Sequence, residues 1–121
     1  PDLQKSDEEN MQLLQKYIKE KEIQLNLSFN EAELLTEILL KQGFMLTYKL
    51  ELQPQFTDNN VYRATDGERE AYITVDTLLA DKTVDYFLTH TDKKFICIER
   101  ALDTTKKFNL KKALDMKFFA F

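Results

Sequence analysis

With 121 residues, 43% of them hydrophobic and 31% charged, and only two glycines and two prolines, the chain has the balance of one packed globular unit, not of a disordered tail. Its 17 Lys and Arg against 21 Asp and Glu leave a net charge of -4, which disfavours indiscriminate binding to nucleic acid; no apolar run approaches the roughly 18 residues of a membrane-spanning helix. The lone cysteine, Cys97, excludes an internal disulfide and points to a reducing, cytoplasmic setting.

Taken in chain order, the first predicted element is an amphipathic helix over residues 6–22. Ser6 and Glu9 have capping-box spacing, and Met11, Leu14, Tyr17 and Ile18 share a stripe. Lys19-Glu20-Lys21-Glu22 offers no apolar position for another turn, so the helix is expected to end there. Ile23, Leu25 and Leu27 alternate with polar residues and predict a short extended linker. A core helix follows, with Ser28 and Glu31 at its start, Leu34, Leu35, Ile38 and Leu39 on its apolar face and Gly43 as its C-terminal cap. Phe44 to Gln53 reads as a strand and Pro54 to Asn60 as an irregular connection. Val61–Thr65 and Glu70–Val75 form a hairpin about Asp66-Gly67. A helix then begins near Asp76 or Thr77 and carries Leu78, Leu79, Val84, Phe87 and Leu88. Lys93 to Ile98 is a strand, residues 103–114 a short helical or irregular crossover, and Lys117 to Phe121 a terminal strand.

The hairpin must be antiparallel, whereas strands joined through helices pair in parallel, so the sheet is expected to be mixed. The fold class is α+β: about five strands with flanking helices, preceded by the amphipathic helix. Residues 1–27 form the helix and linker and 28–121 the α/β domain, together one globular unit. The first residues, Pro1-Asp2-Leu3-Gln4-Lys5, have neither an initiator Met nor a signal-peptide pattern, and the expectation is a segment of a longer protein.

Residue supply limits the chemistry. One histidine, His90, and one cysteine cannot assemble a Cys/His metal cluster. Cys97, between Phe95, Ile96 and Ile98, reads as a core thiol, and His90 as a helix-capping side chain. Gly43 and Gly67 are isolated and make no phosphate-cradling loop. Asp76, Asp81 and Asp85 read as a solvated acidic face. The charge is nevertheless uneven: residues 93–121 hold eight Lys and Arg against Glu99, Asp103 and Asp115, a net of +5. Within that stretch Lys106, Lys107, Lys111 and Lys112 recur at helical spacing, a candidate contact for nucleic acid or for a partner protein.

Two stretches go beyond composition. Residues 33–47, ELLTEILLKQGFMLT, and residues 95–102, FICIERAL, with Asn109-Leu110 behind them, resemble in order and separation the segment past the catalytic region of bacterial site-specific adenine DNA methyltransferases, especially type III modification subunits. The resemblance spans roughly residues 28–121. In that family methyl transfer from S-adenosylmethionine uses a Phe-x-Gly-x-Gly loop and an Asp-Pro-Pro-Tyr tetrad, neither of which occurs here. The resemblance therefore implies a non-catalytic C-terminal assembly domain, itself without a cofactor, the S-adenosylmethionine site lying elsewhere in the parent chain. Its implied partners are other domains or a second copy of the methyltransferase and the restriction subunit. The leading helix, residues 6–22, is the candidate connector or partner-binding element, since its apolar stripe can be covered either by this domain or by another chain. The rival reading is a domain that contacts DNA through its lysine-rich end.

Overall fold

A computed structural model describes residues 7–25 and 28–121, without the side chains of 7–10, 21–25 and 29. The chain falls into two compact units, residues 1–48 and 49–121.

The first unit is a pair of helices, α1 (Asp7–Leu25) and α2 (Phe29–Lys41), packed on each other. Helix α1 passes the expected stop at Glu22 and takes in residues 23–25, so the extended linker expected there is corrected; Ser6 and residues 26–27 lie outside the described residues. The reason is visible in the residues themselves. Lys and Glu are good helix formers, and no Gly or Pro interrupts residues 19–25.

Both ends of α2 are set by local chemistry. Ser28 Oγ accepts the Glu31 backbone N–H at 3.2 Å and donates to Glu31 Oε1 at 3.1 Å. At the other end the N–H groups of Gly43 and Phe44 donate to the carbonyls of Leu40 and Leu39. That is the double bond pattern of a Schellman cap, and it needs the left-handed backbone that Gly43 adopts at φ 89°. Ala32, Leu35, Ile38 and Leu39 are buried. The strand expected from Phe44 is a correction as well: residues 44–48 form a turn in which the Tyr48 N–H donates to the Met45 carbonyl, and pairing begins only at Lys49. The alternation of Phe44, Leu46 and Tyr48 is real as burial, since all three are buried, but not as a ladder. Inside the unit the Tyr48 hydroxyl meets Thr36 Oγ1, which in turn donates to the Ala32 carbonyl at 2.9 Å.

The second unit is built on a five-stranded sheet of β1 (Lys49–Leu52), β2 (Tyr62–Thr65), β3 (Glu70–Ile73), β4 (Phe95–Cys97) and β5 (Phe118–Ala120). The strands lie in chain order. Strand β2 runs antiparallel to both neighbours, whereas β3, β4 and β5 are parallel to one another. The fold is thus α+β with a mixed sheet, as the sequence predicts. The β2–β3 hairpin turns where Asp66 Oδ1 accepts the N–H groups of Glu68 at 2.9 Å and Arg69 at 2.7 Å and Gly67 takes φ 92°.

Helices α3 (Asp81–Thr89) and α4 (Thr104–Leu114) form the two crossovers and pack on each other. Tyr72, Phe95 and Phe118 stand in register on one face of the sheet. Phe87 of α3 packs on the first two, stacked on Phe95 at 4.0 Å between ring centroids and edge-on to Tyr72 at 5.8 Å. Full burial of a side chain such as Phe87 or Leu110 contributes about 1.5–3 kcal/mol each. The expected start of α3 near Asp76 is displaced to Asp81, with Ala80 as N-cap, because the Asp76 carboxylate is engaged elsewhere. Helix α4 begins where the Asp103 side chain caps the Lys106 N–H at 2.8 Å. No helix of the described residues is long and apolar enough to cross a membrane.

Candidate functional site

In an open sheet with parallel strands, a ligand is held outside their carboxyl ends. Here that edge is formed by the connections after β1, β3 and β4. Each is tied down by polar groups of the chain itself. Asn59, buried, donates through Nδ2 to Asp76 Oδ2 at 2.9 Å and to the Leu78 carbonyl at 2.8 Å. Its Oδ1 accepts from the Ala80 N–H at 3.0 Å and from Thr83 Oγ1 at 2.7 Å. The same Asp76 oxygen accepts the Asn60 N–H at 2.9 Å. One asparagine and one aspartate thus pin the β1–β2 connection to the start of α3, and these carboxylate and amide groups are spent on structure.

The lysine cluster separates into two pairs. Lys106 Nζ donates to the Leu79 carbonyl at 2.8 Å and lies 3.3 Å from Asp81 Oδ1; Lys107 is joined to Glu99 by a short charge-assisted bond. These two lysines tie α4 to the start of α3 and to the 3-10 turn at Glu99–Ala101. Lys111 and Lys112 are exposed, and among the described residues neither forms an ion pair. Between the pairs stands Phe108, 65% exposed. Nothing in the sequence marked it, because a Phe among lysines reads as the buried side of a short helix.

The hydrogen bond from Lys107, and then its positive charge, hold the Glu99 carboxyl below the usual range. A depressed carboxyl pKa adds stability that is present above the unfolded-state value and is lost as pH falls through the folded-state value. Both groups are exposed, so the effect on stability is small and the titration itself is the measurement. By side-chain carboxyl NMR, Glu99 should titrate below an ordinary glutamate, and Lys107→Gln should move it upward. Unchanged titration in the variant would rule out the pairing in solution.

The remaining groups with chemical potential are also placed. Cys97 is buried on β4 and burial pushes its thiol up to about 12, so the reactive thiolate is scarce at neutral pH. Ellman's reagent at mildly alkaline pH should find no thiol until urea opens the fold; a fast reaction of the folded chain would contradict that burial. His90 caps α3: its backbone N–H donates to the Tyr86 carbonyl, its Nδ1 lies 2.7 Å from that oxygen and its ring stacks on Tyr86 at 4.0 Å. Asp81 faces Lys106 and Asp76 faces Asn59, so with Asp85 they do not converge. Among the described residues no group of three or more His, Cys, Asp or Glu could hold a metal ion.

Within the first unit, the α1–α2 pair leaves a mainly apolar groove of about 530 Å³ whose lining includes Met11, Leu14, Ile18 and Leu40 together with Glu33 and Glu37. Met11 is 54% exposed. No protein-family model, curated protein or solved structure matches the chain.

Proposed function

We propose that the chain is a non-catalytic assembly module, the C-terminal part of a cytoplasmic adenine DNA methyltransferase of the restriction-modification type. The observation that carries this reading is the paired resemblance of residues 33–47 and 95–102, in the family's order and separation. Two features support it. The apolar groove of the α1–α2 pair suits a protein partner, either a second copy or a restriction subunit. The groups that could do bond-making chemistry at the carboxyl edge of the sheet are engaged in holding its loops. Base recognition, S-adenosylmethionine and methyl transfer then belong to the rest of the parent chain. The rival DNA-contacting role would rest on Lys111 and Lys112, since Lys106 and Lys107 have structural partners.

The test is to read the encoding gene upstream of the Pro1 codon. The expected result is an Asp-Pro-Pro-Tyr tetrad with a Phe-x-Gly-x-Gly loop, and a parent reading frame without them overturns the assignment. The chain itself, given labelled S-adenosylmethionine and DNA, should incorporate no methyl group into the DNA.

A further inference from the structure

The outer face of α4 carries a pattern that helix stability does not account for. Lys111 and Lys112 lie in the last turn of the helix, where the macrodipole favours cations by about 0.3–1 kcal/mol, so the two lysines alone need no partner. Phe108 does. It precedes Lys111 by three and Lys112 by four residues, the spacing of surface neighbours on a helix. At 65% exposure it leaves most of an aromatic ring in water, while the opposite side of the helix buries Leu110 and Leu114. Just beyond the helix, Asp115 takes a left-handed φ of 53° and Met116 follows, 85% exposed. A second large apolar side chain is thus left in solvent at the end of the same basic helix.

From this arrangement we infer that the outer face of α4, centred on Phe108 and flanked by Lys111 and Lys112, docks an acidic segment of a partner protein that inserts an apolar side chain against the ring. The choice of partner follows from charge and surface. The two ammonium groups have no carboxylate partner among the described residues, which leaves them complementary to a segment rich in Asp and Glu. Thr104, Thr105 and Asn109, also exposed, supply a neutral polar rim. A nucleic acid suits the face less well. Two lysines neutralise two phosphates, a small share of the contacts that hold a nucleic acid. The inference deepens the assembly reading and rests on it, by naming a surface and the chemistry of what it meets.

The experiment is selection of random peptides, displayed on phage, against the full chain, followed by affinity measurement on the enriched peptides. Acidic peptides with a Leu, Phe or Trp among the carboxylates are expected. Phe108→Ser and the Lys111→Glu/Lys112→Glu pair, all at exposed positions that leave the fold intact, should each weaken these peptides by at least about fivefold, and added salt should weaken them further. Enrichment of no acidic consensus, or peptides that bind the Phe108→Ser chain as well as the wild type, overturns the inference. So does an oligothymidine that binds the same face more tightly than the selected peptides. The parent gene's tetrad is read independently, so failure here leaves the methyltransferase assignment standing, and failure there does not by itself remove the surface.

Discussion

Phe87→Ala should lower the stability of the sheet unit by about 3–5 kcal/mol, the usual cost of emptying a buried phenylalanine site. Phe87 is wholly buried and stands at the centre of an aromatic group. It stacks on Phe95 at 4.0 Å and on Phe56 at 5.6 Å, and meets Tyr86 and Tyr72 edge-on at 5.1 and 5.8 Å. Truncation loses the transfer free energy of the ring and the aromatic contacts. It also leaves a void that β4, fixed on both sides by ladder bonds, cannot close. Phe87→Leu keeps most of the volume and should cost less, below about 2 kcal/mol. Urea unfolding followed by the near-ultraviolet dichroism of the tyrosines reads both, because Tyr72 and Tyr86 border the site. A Phe87→Ala midpoint equal to that of the wild type would remove Phe87 from the centre of the core.

What the sequence made legible is what neighbouring residues decide. Ser28 with Glu31, Gly43 after Lys41, and Asp66-Gly67 between two β-prone runs are local signals, and each produces its cap or turn in place. The mixed sheet follows from the same signals, since one tight turn and two helical crossovers admit little else. Some of the misplaced features, unlike the overrun of α1, depend on residues elsewhere in the chain. Asp76 has the look of a helix cap, but it is claimed by Asn59, 17 residues earlier, and the helix starts five residues later. Lys106 and Lys107 share their spacing with Lys111 and Lys112, yet one reaches a carbonyl 27 residues back and the other a carboxylate eight residues back. No periodicity shows which of four lysines will be drawn inward. The exposure of Phe108 is hidden for the same reason: hydropathy assigns it to the core, and only the packing of Leu110 and Leu114 reveals that the helix turns its other side inward.

Asn59 provides the sharpest test of this long-range tie, because its two substitutions fail differently. Asn59→Ala removes both donors and the acceptor at once, and the Ala80 N–H and the buried Thr83 hydroxyl lose their partner. At about 1–3 kcal/mol for each buried group left without a hydrogen bond, the loss should be about 2–4 kcal/mol after solvent has met some of the need. Asn59→Asp keeps the shape and the acceptor facing Ala80 and Thr83. It replaces the Nδ2 donor with an oxygen that faces Asp76 Oδ2 and the Leu78 carbonyl, at positions now 2.9 and 2.8 Å away. Two carboxyls this close cannot both ionise without penalty, so the pair's folded-state pKa rises above its unfolded value. Such a shift costs stability at neutral pH and returns it as pH falls through the raised value, when a shared proton restores a hydrogen bond. Asn59→Asp should therefore approach the wild type on mild acidification, while Asn59→Ala stays low at every pH. Urea midpoints across pH, with hydrogen exchange at the Ala80 amide as a local probe, separate the two. Parallel pH profiles for the two variants would mean that Asn59 and Asp76 are not in contact in solution.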